Sequence, residues 1–341
     1  MHPPLTESNA IQLYGATGSP YSVKIRAILR YRRAPYIWHE TDLLHSAALE
    51  NVRVRLLPVV QFPDGQWLND STAIALELER RFSTDRSILP EDEALRFLAL
   101  VLEDFADEWG TKLMFHYRWN SSPEDLSISR WLSFDRLGSR GRKALEADAE
   151  QFCARQVSRM ALVGCTPENA PLLEHTAGRI LALLDEHVTN EAFLLGSRPS
   201  LADFAWFGQL SQVASDPASL SLVRTRAPYV ARWLVTLDDT SGVVGNWRTS
   251  SEPLTESLLE LIRLGGDVYL PFLRANEAAY RQKLPSFSIN VLGYPYSQAP
   301  FRYQVHCLAS LRDSYETLSP GARSYLHSFP DFSAYEEFLG A

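Results

Sequence analysis

Short apolar runs alternate with amphipathic stretches at the start of the chain. "IQLYG" reads as a buried strand, and "PYSVKIRAILRYRR" repeats its apolar residues at helical spacing. In that helix Val23, Ala27 and either Ile28 or Leu29 share one face. Lys24, Arg26, Arg30, Arg32 and Arg33 are expected on the wet side. "YIWHE" is rich in β-formers and predicts a second strand, parallel to the first because a helix lies between them. "LLPVVQFPDGQWLND" holds two apolar runs around Asp64-Gly65, a hairpin turn signal. Asp70 or Ser71 then caps a helix, "STAIALELERRF". The order is βαβ, a connecting segment, then ββα.

The polar stretch "FSTDRSILPEDE" carries the helix-breaking Pro90 and predicts a linker. Beyond it the period is helical. Leu95, Leu98, Leu102, Phe105 and Trp109 mark one long amphipathic helix, and "TAGRILALLDEHV" and "SLADFAWFGQLSQVA" mark two more. The helical pattern weakens near "VARWLVTLDDTSGVVGNW". After that point "LLELIRLGGDVYLPFLRANEAAY" has helical periodicity on both sides of Gly265-Gly266. "FSINVLGYPYS" alternates like a strand that ends in a Gly/Pro turn. "PFRYQVHCLASLRDSYETL" is amphipathic, with Tyr303, Val305, Cys307 and Leu308 near one another. Segments this apolar predict a region packed on the body of the protein, not a disordered tail.

Composition narrows the function classes. A chain of 341 residues is expected to hold two or three domains. Its net charge of −8 offers no electrostatic footprint for nucleic acid or an anionic membrane. No window approaches about eighteen consecutive apolar residues, and the first ten residues lack a signal-peptide pattern, so a cytoplasmic protein without a membrane span is expected. Three scattered cysteines, Cys153, Cys165 and Cys307, suit a reducing compartment and give no metal spacing.

Three local signals then stand in order: "SPYS" (19–22) at a strand-to-helix turn, "LLPVV" with Pro58 opening an apolar strand, and "NDSTAI" with Asp70-Ser71 at a helix start. Together they resemble the cytosolic glutathione S-transferase family. The motifs cover about residues 10–82, and the helical pattern with "SLADFAWF" extends the likeness to about residue 240. The resemblance implies a thioredoxin-like α/β domain at 1–83 and an all-α domain at 93–240. Residues 241–341 fall outside it and are expected to form an added α+β extension. It further implies glutathione as co-substrate, a small hydrophobic electrophile as second substrate, a role in detoxification, and a homodimer that pairs the N-terminal domain of one subunit with the helical domain of the other.

Each site residue follows from that resemblance and has a chemical reason. Ser19 is the catalytic candidate, because it would stand at a helix N-terminus, where unpaired N–H groups and the dipole favour an anion. Lowering a thiol pKa by about two units takes roughly 2.7 kcal/mol, and a hydroxyl hydrogen bond to a charged group supplies about 1.5–3 kcal/mol. The plain structural reading of Ser19-Pro20 is an N-cap followed by a first-turn proline. Omega-like members have cysteine at this position, so serine disfavours a mixed disulfide on the enzyme. Tyr14 and Tyr21 are rival hydroxyls, and Tyr21 is also a glutathione contact candidate. Pro58 resembles the family's cis-proline, which would let Leu57 pair through its backbone with an extended peptide ligand. Ser71 suits the ligand's α-carboxylate and Asp70 its ammonium, although the family's usual residue at the latter place is Glu or Gln.

Trp109, Tyr117 and Arg118 are substrate-side candidates late in the first long helix, where core packing is the competing reading. Ser200 and Asp203 form Ser-x-x-Asp, a capping box. Two other functions compete with the enzyme: a non-catalytic glutathione-binding or scaffold protein, and an apolar-ligand carrier.

Overall fold

The computed structural model describes residues 9–41, 46–82, 85–120 and 126–329, together with residues 332, 335 and 339. Residues 1–8 of the expected first domain and residues 83–84 of the expected linker lie outside the described residues.

The N-terminal part is built on β1 (Ile11–Gly15), α1 (Pro20–Tyr31), β2 (Tyr36–Glu40), β3 (Val59–Gln61), β4 (Trp67–Asn69) and α2 (Ser71–Arg81), with a 3-10 turn at Ala47–Asn51. The sheet order is β2-β1-β3-β4. β1 and β2 are parallel, as the helical crossover requires, and the other two pairings are antiparallel. Gly65, with φ of 86°, supplies the left-handed residue of the expected β3–β4 hairpin. This is the thioredoxin-like arrangement that the sequence predicts.

The wet face expected for α1 is corrected in two places. Lys24 is 0% exposed and Arg32 is buried. A helix packed on both sides must carry its cations inward and pair them there. Arg32 reaches the Glu79 carboxylate and the backbone of α2. Lys24 enters the buried network described below.

The helical part begins with α3 (Glu93–Asp104), which passes through a π-helical turn at Phe105–Gly110 into α4 (Thr111–Trp119). All five apolar residues expected on this helix are buried. The expected linker is itself packed: Ile88 is buried, and its carbonyl accepts the N–H of Leu201. Then come α5 (Ser127–Leu137), α6 (Arg142–Val157), α7 (Ala170–Asn190), α8 (Leu201–Ser215), α9 (Leu220–Arg226) and α10 (Pro228–Asp238). Helix α8 is buried almost all round and packs on α1. Gly208 permits this approach, since a Cβ there would lie 2.7 Å from the Pro20 carbonyl oxygen.

The extension folds as α11 (Glu256–Arg281), β5 (Phe287–Val291), β6 (Tyr294–Gln298), α12 (Arg302–Glu316) and α13 (Pro320–His327). α11 runs unbroken through Gly265-Gly266 and Pro271. The single strand expected in "FSINVLGYPYS" is instead a hairpin that turns at Leu292-Gly293, with Pro295 on its second strand. A two-stranded sheet has only edges, which is where proline is tolerated. Tyr296 of β6 packs on Trp109 and Phe272, so extension and helical domain share one core. α12 buries Gln304, Cys307, Leu308, Leu311 and Tyr315; Tyr303, expected beside Cys307, lies on the more exposed side.

Candidate functional site

The sheet register brings the three sequence motifs to one edge. Tyr14 pairs with Val59, and Val59 pairs with Asn69. Pro58, just before Val59, and Asp70, just after Asn69, therefore lie at the end of β1 from which the chain turns into α1. The Leu57-Pro58 peptide is cis. Neither the N–H nor the C=O of Leu57 is bonded among the described residues, which leaves both for an extended ligand.

Ser19 caps α1 as the sequence predicts. Its backbone is extended, its Oγ accepts the N–H of Ser22 at 3.3 Å, and its own N–H donates to Ala16. The rival hydroxyls are directed elsewhere. Tyr14 stacks on His39 and packs with the small cluster that includes Val59. Tyr21 donates to the Asp107 carbonyl at 3.0 Å. Burial, with Glu108 and Asp107 nearby, raises its phenol well above the usual range, so it is a poor phenolate.

Asp70 is the N-cap of α2, with φ of 77°. Its Oδ1 accepts the N–H groups of Thr72 and Ala73, and its Oδ2 accepts the Tyr303 hydroxyl of α12 at 2.7 Å. Ser71 is the first residue of the helix, and its N–H has no partner among the described residues. Its hydroxyl donates to Asp107 Oδ2 at 3.3 Å, so the side chain faces inward.

Behind Ser71 lies a network of charged groups. Lys24 Nζ stands 2.5 Å from Glu103 Oε1 and 2.6 Å from Asp107 Oδ2. Burial works against the Lys24 charge, but Asp107 and Glu103 outweigh it and raise its pKa. Burial raises the Glu103 carboxyl against the pull of Lys24. Thr72 also donates to Glu103, which ties α2 to α3. Glu108 is buried beside them, pushed up to about 7 by desolvation and accepting from Gln304 of α12 at 3.2 Å. Sequence reasoning missed this network. Its signal was present in "LEDFADEWG", where Glu103, Asp104, Asp107 and Glu108 interrupt an otherwise apolar helix. Tyr303 left no local signal, because it lies 233 positions from Asp70.

The three substrate-side candidates do not gather at this edge. Trp109 is 0% exposed, donates its indole N–H to Thr176 and packs on Phe272, so it is a core residue. Tyr117 is half-buried and lies edge-on to His116. Arg118 is buried and pairs with Asp216 at 2.6 Å. It also donates to the Gly18 carbonyl at 2.8 Å, so it braces the turn that carries Ser19 and leaves no open cation for a substrate. The capping box holds: Asp203 accepts the N–H and hydroxyl of Ser200, both at 2.7 Å.

On the other side of the turn is a cleft of about 1310 Å³ that reaches Thr17 and Gly18 and is walled by Trp131, Leu132, Phe134, Phe207 and Leu234. Leu132 sits so close over Gly18 that a Cβ there would clash with its Cδ2. The cleft does not include Ser19, Asp70 or Ser71.

Comparison with known families gives two matches. The glutathione S-transferase N-terminal domain matches residues 13–86, and the glutathione S-transferase C-terminal domain matches residues 174–235. No curated protein matches. Among solved structures, the chain is similar to a Tau class glutathione S-transferase from mango, Mangifera indica, at 20% identity. That alignment covers 75% of this chain and 99% of the other, with a TM-score of 0.42. It is similar to a glutathione S-transferase of Methylobacterium radiotolerans in complex with glutathione sulfonate, at 19% identity over 72% and 100% of the two chains, with a TM-score of 0.43. A third is the β-etherase LigF of a Sphingobium species, at 16% identity over 74% and 99%, with a TM-score of 0.49.

Proposed function

Because the chain belongs to the glutathione S-transferase family, we propose that it binds glutathione at the sheet edge and presents the thiol to a small hydrophobic electrophile. The observation that carries this reading is the convergence of Ser19, cis Leu57-Pro58 and Asp70-Ser71, set by the strand register. Ser19 stabilises the thiolate at the N-terminus of α1 through its hydroxyl and the helix-end field. Leu57 pairs with the peptide backbone of the ligand. The free N–H of Ser71 takes the α-carboxylate and Asp70 the ammonium. The electrophile approaches from the α5 side, where Leu132 covers Gly18 and the cleft of mixed apolar and charged lining begins. Residues 1–83, 93–240 and 241–341 act as binding domain, helical domain and packed extension. The family resemblance carries the proposal of a homodimer, which light scattering tests against the 38.5 kDa of one chain.

A non-catalytic glutathione-binding protein is the second reading, favoured by Ser19 Oγ being engaged by the Ser22 N–H. Calorimetry and thiolate absorbance separate the two. Wild type should bind glutathione and ionise its thiol near neutral pH. Ser19→Ala should raise the bound thiol's pKa and lower turnover while affinity changes little. Its lost N-cap costs about 1 kcal/mol of stability. A bound thiol that ionises as it does in free solution would leave binding standing and remove the catalytic claim.

A further inference from the structure

The extension reaches the proposed binding edge at one side chain. Tyr303, in the first turn of α12, is 37% exposed, and its hydroxyl lies 2.7 Å from Asp70 Oδ2. Its backbone is anchored on both sides. Asn276 of α11, fully buried, accepts the N–H of Phe301 at 2.7 Å and donates to the Phe301 carbonyl at 3.0 Å. Gln304, the next residue after Tyr303, is buried and bonded to Glu108. Tyr303 thus stands on a fixed helix start and is not carried by a loop.

Asp70 is short, and its Oδ1 is committed to the first turn of α2. Only Oδ2 faces outward, and the phenol donates to it. A phenol oxygen that donates one hydrogen bond retains lone pairs, and a carboxylate oxygen accepts more than one donor. The pair therefore offers two adjacent acceptors in a fixed geometry. The surroundings hold more acids than bases: Glu108 lies nearby, and Asp107, though bonded to Lys24 through Oδ2, has a buried Oδ1 with no partner among the described residues. An ammonium donor satisfies such a pair, and an anion does not.

We propose that Tyr303 of the extension is a ligand-binding residue that, with Asp70, selects for the α-ammonium of the γ-glutamyl end. This rests on the glutathione reading above and adds to it a residue from outside the two matched domains. The extension then sets affinity and specificity by supplying one wall of the site.

The test uses the full chain, calorimetry, and two probes: glutathione and its des-amino analogue, glutaryl-cysteinyl-glycine. Tyr303→Phe keeps the ring and removes the hydroxyl. It should weaken glutathione about tenfold and leave the analogue within a factor of about two. In an Asp70→Ala background the same substitution should have almost no further effect on glutathione, because the two residues act as one acceptor pair. Equal weakening of both probes would mean a packing role and overturn the proposal, as would no change in either. Tighter glutathione binding by Tyr303→Phe would mean that the phenol blocks the site, which also overturns it. Absence of glutathione binding by wild type would instead remove the reading on which the proposal rests, and the proposal with it.

Discussion

Two helix starts in this protein use the same residue types and serve different ends. At Asp70-Ser71 the carboxylate caps α2 with one oxygen and turns the other outward, toward Tyr303. At Ser200–Asp203 the carboxylate is fully buried, and the chain's own groups use both oxygens: Leu194 N–H on Oδ1, and the Ser200 N–H and hydroxyl on Oδ2. Burial pushes the Asp203 carboxyl up to about 6 in spite of these donors. A capping acid becomes a binding group only when one of its oxygens can still be reached by a donor from outside the protein, as at half-buried Asp70 and not at sealed Asp203. That distinction depends on what packs above the helix start, and no local sequence window contains it.

The largest expected effect tests what holds the open start in place. Behind Ser71, Lys24 balances Glu103 and Asp107 in a dry environment. Lys24→Met keeps the length of the side chain and leaves two buried carboxylates without a cation. The loss should be about 3–5 kcal/mol, since breaking a buried pair strands the remaining charge. The stranded carboxyls would have folded pKa values above their unfolded ones, so the loss should grow as pH rises and shrink in acid. Urea denaturation at several pH values measures this. A loss below about 1 kcal/mol would show that the open start does not depend on the network.

Exchanging the two acids sharpens the contrast. Asp203→Ala should cost about 3 kcal/mol, because three donors lose a buried acceptor, and it should leave glutathione affinity unchanged. Asp70→Ala should cost only about 1 kcal/mol, the value of an N-cap, and should weaken glutathione binding strongly. Thermal melts give the first quantity and calorimetry the second. If Asp203→Ala weakens binding more than Asp70→Ala does, the two starts do not divide fold from function in this way.

How much of this was legible follows the range of the interactions. β1, α1, the Asp64-Gly65 turn, the α2 cap and the "SLADFAWF" box are local, and each was readable from adjacent residues. Ser19, Pro58, Asp70 and Ser71 were readable as motifs, while the strand register that unites them is set by pairing between separate strands and was not. The fate of Lys24 was not readable. Helical period put it among arginines on a wet face, and α2, α8 and the segment from α3 into the π-helical turn, all packed around α1, make that face dry. Trp109 and Arg118 failed as substrate candidates for the same reason. Their partners, Thr176 of α7, Phe272 of α11 and Asp216 just past α8, come from remote parts of the chain that the period of one helix does not reveal. The π-helical turn at Phe105–Gly110 also escaped the pattern. Tyr303 is the extreme case, a long-range contact made by a region without a family resemblance.

The smallest expected effect concerns the side of the site that the extension covers. Glu108 has its carboxyl pushed up to about 7 from an ordinary 4.5 by burial, while Lys112 is held down to about 8 from 10.5, also by burial. For Glu108 the folded value is raised, so its contribution to stability is complete below about 4.5 and fades as pH climbs through 7. For Lys112 the folded value is lowered, so its contribution is complete above about 10.5 and is lost as pH falls through 8. The two windows do not overlap, which lets one substitution isolate the first. Glu108→Gln mimics the protonated acid and keeps an acceptor for Gln304. It should be close to wild type in stability near pH 5 and more stable than wild type near pH 8. The gain should be about 1 kcal/mol or less, because Lys112 loses a neighbouring negative charge at the same time. Chemical denaturation at the two pH values measures the difference. A variant that becomes less stable than wild type as pH rises would mean that Glu108 is held as a carboxylate in the folded protein. The acid beneath α12 would then resemble Asp70, an anion awaiting a cation, and the contrast between an open and a sealed carboxylate would extend to the interior of the site.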